Sequence, residues 1–159
     1  MLKWTRRKPQ AGAGAVLPTC LPGREPGAPL LRAVGESFYQ PALEAACGRR
    51  NGEEVFFECE AALVPEPENQ HDRNAVRVEV EGQLTAHLAR ADAAQYQPLL
   101  LELRAAGYAA LCRALIVGRD ANDPDSETAN LGVCLDVASA EELSAWLRAG
   151  GSALPGEVA

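Results

Sequence analysis

Polar and apolar positions alternate in several short stretches of this chain, and this pattern predicts strands. Residues 76–80 place three valines on one face and two charged side chains on the other, which is the period of a half-buried strand. A longer alternation runs through residues 54–63, and a shorter one through residues 83–88. Because Glu81-Gly82 favours a tight turn, residues 76–88 are predicted to form a hairpin. A short apolar run at residues 30–34 predicts a strand before them.

Three segments have helical features instead. Residues 41–47 begin with a proline and precede Gly48, a typical start and stop for a short helix. Residues 92–106 contain Pro98, which either kinks this helix or begins its second piece. The last segment, residues 139–149, opens with a capping box formed by a serine and a glutamate three residues apart. The remaining apolar runs, at residues 108–117 and 131–137, predict a final hairpin.

These elements predict a mainly β protein with helices, of the α+β class. Antiparallel hairpins in this number favour a small OB-like or SH3-like β-barrel with one intervening helix and a C-terminal helix. Residues 1–28, rich in Gly, Pro and Ala, are interpreted as a disordered basic tail. The barrel domain is expected at residues 29–138, and residues 139–159 are assigned to the C-terminal helix and tail.

Charge is divided unevenly along the chain. Residues 1–32 hold six of the 15 basic side chains and only one of the 22 acidic ones, so the rest is strongly acidic. Such a surface does not attract phosphate backbones at long range. Any contact with nucleic acid must therefore be local and specific.

The five cysteines indicate neither a disulfide framework nor a zinc site. They are widely separated, odd in number and without CxxC spacing. The acidic loop at residues 119–130 resembles a calcium loop only weakly, because Pro124 interrupts it and the required glycine is missing. We predict no metal and no cofactor. No run approaches the roughly 20 apolar residues that cross a bilayer, so a cytoplasmic protein without membrane contact is expected.

The loop at residues 65–75 contains the densest turn chemistry in the chain. Its prolines, asparagines and aspartate favour an ordered turn in which Asx side chains bond the backbone. An aromatic pair, Phe38-Tyr39, falls in a separate connection and fits either a plug over the barrel end or a stacking platform for a base. In the strand at residues 83–88, Leu84 is expected to face the core with Ala86, while His87 faces outward near Arg90.

Four parts of the sequence together resemble the HIRAN domain. They are Val34-Gly35 followed by the aromatic pair, the run from Glu66 to Val78, the segment Ala86-His87-Leu88-Ala89-Arg90, and residues 93–100. The resemblance covers roughly residues 30–118. The HIRAN domain occurs at the front of fork-remodelling DNA translocases and in bacterial proteins. It implies an OB-like barrel that grips the 3′ end of single-stranded DNA and acts in DNA repair.

The resemblance also implies a set of DNA-binding residues. Phe38 and Tyr39 match the stacking aromatics, and Asp72 matches the aspartate that holds the terminal 3′-hydroxyl. Five further positions belong to the set. Ser37 lies where a basic residue is usual, His71 takes a ring position that is usually tyrosine, and Asn74 belongs to the motif. His87 and Arg90 match a polar and a basic position near the bases and phosphates.

No catalytic residue is predicted. The chain lacks a P-loop, so a motor or other DNA-processing protein would be a separate partner. Catalysis by His71 or His87 beside Asp72 is a weaker hypothesis, since no Gly-rich phosphate loop supports it. The main alternative is a protein-interaction adaptor with a HIRAN-like fold and little affinity for DNA. The oligomeric state does not follow from the sequence.

Overall fold

The computed structural model describes residues 16–48, 54–119 and 131–151. Seven strands, one 3₁₀ helix and three α-helices occupy these ranges. In chain order they are β1 Leu17–Cys20, β2 Leu31–Val34, the 3₁₀ helix Glu36–Phe38, α1 Gln40–Cys47, β3 Glu54–Pro65, β4 Val76–Val80, β5 Gln83–Leu88, α2 Arg90–Ala105, β6 Tyr108–Arg119, β7 Gly132–Asp136 and α3 Ala140–Arg148.

Six of the strands close into an antiparallel barrel, as the sequence predicts. The strands follow the order β6, β3, β4, β5, β2 and β7, and a further pairing between β7 and β6 closes the ring. β3 and β6 form the longest ladder, from Glu54 opposite Arg119 to Leu63 opposite Ala110. The barrel interior is filled by alternate side chains of these strands, and the helices add further leucines to it, namely Leu43, Leu100, Leu103 and Leu143.

The hairpin between β4 and β5 has the predicted tight turn. Glu81 and Gly82 have φ angles of 52° and 76°, and positive φ at both central residues matches the twist of the two strands. The three predicted helices are present. α1 ends before Gly48, and the capping box of Ser139 is present at the start of α3. α2 continues through Pro98 as one helix, so no second piece begins there.

The predicted disordered tail at residues 1–28 is wrong in its second half. β1 lies parallel to β6, where the Leu17 amide donates to the Gly107 carbonyl at 2.9 Å and the Leu21 amide to the Leu111 carbonyl at 2.8 Å. β7 pairs with β6 only from Arg113 onward. The first part of β6 therefore has an open edge that β1 satisfies. Residues 1–15, the acidic loop at 120–130 and residues 152–159 lie outside the described ranges.

A β-bulge changes which side chains of β5 face the core. Val78 is opposite Ala86 and Glu79 is opposite Leu84, so Thr85 is the extra residue. Thr85 is fully buried and its hydroxyl donates to the Val78 carbonyl at 3.0 Å. The expectation that Leu84 faces the core is therefore wrong, because one added residue reverses the alternation. His87 lies on the outer face, as expected.

Candidate nucleic-acid interface

The loop between β3 and β4 is folded by its own side chains. The Asn69 side-chain oxygen accepts the amides of His71 and Asp72 at 2.9 and 3.1 Å. Asp72 Oδ1 in turn accepts the Asn74 amide at 2.9 Å. Such Asx bonds replace a regular backbone ladder in a turn. The conformational role that the turn-rich sequence predicts is thus present, and one Asp72 oxygen is used for it.

Helix α2 clamps this loop from the side of the core. The side-chain amide of Gln97, which is buried, donates to the Arg73 carbonyl at 2.6 Å and to the Ala75 carbonyl at 3.1 Å. The Glu66 amide also donates to the Ala75 carbonyl, at 2.8 Å, and closes the base of the loop. A buried carbonyl without a partner is costly. Gln97 therefore makes the loop part of the rigid barrel.

The loop also contacts the outer face of β5 through a histidine–carboxylate pair. His87 Nε2 lies 2.9 Å from Glu66 Oε1, and both side chains are partly buried. On either side of His87 across the sheet are Arg77 of β4 and Val34 of β2. The Arg77 guanidinium bonds Glu79 on its own strand, and this bond raises its already high pKa. His87 therefore lies between the apolar Val34 on β2 and the basic Arg77 on β4.

A second contact ties the tip of the loop to the start of α2. The Arg90 guanidinium donates to the His71 carbonyl at 3.2 Å, and its Nε lies 3.9 Å from Asp72 Oδ2. Arg90 itself is largely exposed. The second oxygen of Asp72 thus faces a cation at the edge of ion-pair distance. The structure brings His71, Asp72, His87 and Arg90 to one side of the barrel.

The aromatic pair lies on the same side. Phe38 ends the 3₁₀ helix and Tyr39 precedes α1. Their rings are 6.4 Å apart in an edge-to-face arrangement, and the Tyr39 ring is 6.5 Å from the imidazole of His87. Phe38 is 82% exposed, so the plug interpretation is wrong for it. The three rings form a continuous row that ends in an open aromatic face.

Two predicted residues contribute less to this arrangement. Ser37 is exposed in the 3₁₀ helix, and Asn74 is exposed and engages the loop through its backbone amide. Beside Ser37, the Glu36 carboxylate turns toward β7, where Oε1 lies 3.4 Å from the Val133 amide. Ser37 is neutral, so position 37 supplies no positive charge to this surface.

Three residues that hold the site together were not among the predicted site residues. Glu66 lies within the motif, but its sequence position gives no sign that it contacts His87 across the barrel surface. Asn69 could have been recognised from its position in an Asx-rich turn. Gln97 could not have been recognised from the sequence, because its contacts span more than 20 residues of chain.

Within residues 16–48, 54–119 and 131–151, no three His, Cys, Asp or Glu side chains are grouped as metal ligands. In the same parts of the chain, no helix has the length and apolar content needed to span a bilayer.

The fold and the site together define a small closed β-barrel with the exposed ring of Phe38 and the carboxylate of Asp72 on its β2–β5 side. No family model matches the chain, and no curated protein or solved structure matches it either. The resemblance to the HIRAN domain consequently rests on the motif residues alone.

Proposed function

We propose that this domain binds the 3′ end of single-stranded DNA and that it is a binding module rather than an enzyme. The observation that carries the proposal is the exposed face of Phe38 at the end of the row with Tyr39 and His87. A large apolar ring exposed on a fixed turn is suited to stacking on a base, and such stacking is tolerant of sequence. The HIRAN-like motif supports the same function.

Asp72 supplies the proposed contact to the terminal sugar. Because Oδ1 is used by the Asn74 amide, Oδ2 is the oxygen that would accept a hydrogen bond from the 3′-hydroxyl. A 3′-phosphate at the same place would be repelled by the carboxylate. One side chain would thereby bind a free 3′ end and discriminate against a phosphorylated one.

The test is fluorescence anisotropy with a short 5′-labelled oligothymidine that ends in a 3′-hydroxyl or a 3′-phosphate. We expect the hydroxyl form to bind about tenfold more tightly, as for a hydrogen bond to a charged group. Asp72→Asn keeps an oxygen for the Asn74 amide but removes the charge, so it should reduce this preference. Equal or absent binding of both oligonucleotides by the native protein would overturn the proposal.

A protein-interaction adaptor is the second candidate, and one observation favours it. Phe56, on the outer face of β3, is 71% exposed and lies opposite Val117 of β6. This position is on a different part of the barrel surface from the loop and the aromatic pair. If the oligonucleotides fail to bind while Phe56→Ala abolishes capture of a defined partner, the adaptor function replaces the first proposal.

A further inference from the structure

The register of β2 identifies a basic residue next to the aromatic row. Val34 is opposite His87 and Ala33 is opposite Leu88. The next residue of β2, Arg32, is opposite Cys134 of β7. Because alternate residues of a strand share a face, Arg32 lies on the same outer face as Val34. Burial raises the pKa of the Cys134 thiol, the nearby Arg32 charge lowers it less strongly, and the Glu36 carboxylate raises it.

Arg32 differs from Arg90, Arg77 and Arg24 in its partners. Arg90 faces Asp72 at 3.9 Å, Arg77 bonds Glu79, and Arg24 lies 2.9 Å from Asp136. Arg32 is exposed, and its guanidinium makes no hydrogen bond or ion pair with another residue in the described ranges. When an arginine that is already paired with a carboxylate binds a phosphate, the two anions compete for its guanidinium donors. Arg32 has no such competition.

We propose that Arg32 binds a backbone phosphate of the DNA strand close to its 3′ end. This inference rests on the proposed function, and it adds the path of the strand. From the stacking row the strand would run over Val34 and then along the outer face of β2. Two residues of β2 cover about 6.6 Å, and a stacked strand advances about 3.4 Å per nucleotide. Arg32 would therefore meet a phosphate within the first three linkages from the end.

This path explains how the site can work without a cation at Ser37. The neighbouring Glu36 carboxylate lies against the Val133 amide and near Gly132, so a strand passing from the 3₁₀ helix onto β7 would meet negative charge. Arg32 offers the positive charge from the adjacent strand. Its guanidinium can bind two phosphate oxygens at once.

The experiment combines a protein variant with single neutral linkages in the oligonucleotide. A series of 3′-hydroxyl oligothymidines carries one methylphosphonate each, at the first to the sixth linkage from the 3′ end. Affinities are measured by anisotropy for the native protein, for Arg32→Gln and for Arg148→Gln. Arg148 is an exposed arginine in the last turn of α3, so its variant controls for the change in net charge.

Arg32→Gln should reduce the slope of log affinity against log salt by about 0.7, the value for one phosphate of a single strand, and Arg148→Gln should leave it unchanged. One linkage among the first three should weaken binding to the native protein severalfold and have no effect with Arg32→Gln. If the native protein binds but no linkage couples to Arg32, this inference fails and the proposed function stands. If the native protein binds none of the oligonucleotides, both fail.

Discussion

Nε2 of His87 and Oε1 of Glu66 lie 2.9 Å apart, and this contact joins residues that are 21 positions apart in the chain. It attaches the β3–β4 loop to the outer face of β5, directly beside the ring of Tyr39. The loop that carries Asp72 and the row of rings are thus connected through one side-chain pair. Their relative position depends on that pair and on the clamp from Gln97.

Glu66→Gln should loosen the loop without unfolding the barrel. The neutral amide forms a weaker bond with His87 than a carboxylate does, and the pair is partly exposed, so the free energy of unfolding should fall by at most about 1 kcal/mol. Hydrogen exchange followed by mass spectrometry should show faster exchange in residues 67–74. Glu68→Gln, an exposed change on the same loop, is the matched control. Equal protection in both variants would contradict the role of Glu66.

Gln97→Leu should destabilise the protein more than Glu66→Gln does. The change leaves the partly buried Arg73 carbonyl without its side-chain donor, while the Ala75 carbonyl keeps the Glu66 amide. One such group left unpaired costs about 1–3 kcal/mol. Urea unfolding measures the loss. The control is Gln95→Leu on an exposed face of the same helix, which should change stability by less than about 0.5 kcal/mol. Similar losses in both variants would show that Gln97 is not a specific clamp.

The barrel strands were predictable because a half-buried strand leaves a period of two in the sequence. The same rule failed at Thr85, since a bulge inserts one residue and reverses the faces without changing the composition. It also failed at β1, where Pro18 interrupts a stretch of four residues that is stable only beside the open edge of β6. Short strands stabilised by a distant neighbour leave little local signal.

The candidate site was only partly predictable from the sequence. The Asx bonds of Asn69 and Asp72 are local, so residue types in the loop were sufficient to predict a rigid turn. The contacts of Glu66 and Gln97 connect distant segments, and no local pattern indicates them. The placement of His87 and Arg90 near one surface was predicted from the alternation in β5 and from the position of Arg90 just after that strand. The sequence therefore predicted the turn of the loop and the shared surface of His87 and Arg90, but the side chains that fix their positions could not be inferred without the structure.

Stability should decrease in alkaline solution because of a buried thiol. Burial raises the pKa of Cys112 from 9.0 to about 12, and its side chain is only 3% exposed. Above pH 9 the unfolded chain loses this proton while the folded protein keeps it, so unfolding becomes more favourable as the pH rises. One such group contributes about 1.4 kcal/mol per pH unit.

The measurement is urea unfolding between pH 8 and pH 10. Cys112→Ala should make the fall in the free energy of unfolding above pH 9 less steep by about 1.4 kcal/mol per pH unit. The variant is also less stable at pH 8, because part of a buried side chain is lost. The interval ends at pH 10 because the pKa of Tyr96, also raised by burial to about 12 from 10.0, adds a further contribution above it. Burial also raises the pKa of Cys59 to about 11, but this thiol contributes equally in both proteins and cancels in the comparison. An unchanged slope in Cys112→Ala would show that this thiol does not govern the alkaline transition.

Two exposed phenylalanines allow a direct test of stacking at the aromatic row. Phe38 and Phe56 are 82% and 71% exposed, so Ala at either position should change the free energy of unfolding by less than about 0.5 kcal/mol. Only Phe38 adjoins Tyr39 and, through it, His87. Phe38→Ala should therefore weaken oligonucleotide binding by about 1–3 kcal/mol, the value of one stacked base, while Phe56→Ala binds as the native protein does.

Because both changes remove the same ring from a similar exposure, a general loss of surface hydrophobicity would weaken binding equally in the two variants. Equal losses would place the contact elsewhere, and no loss in either would remove stacking on Phe38 from the mechanism.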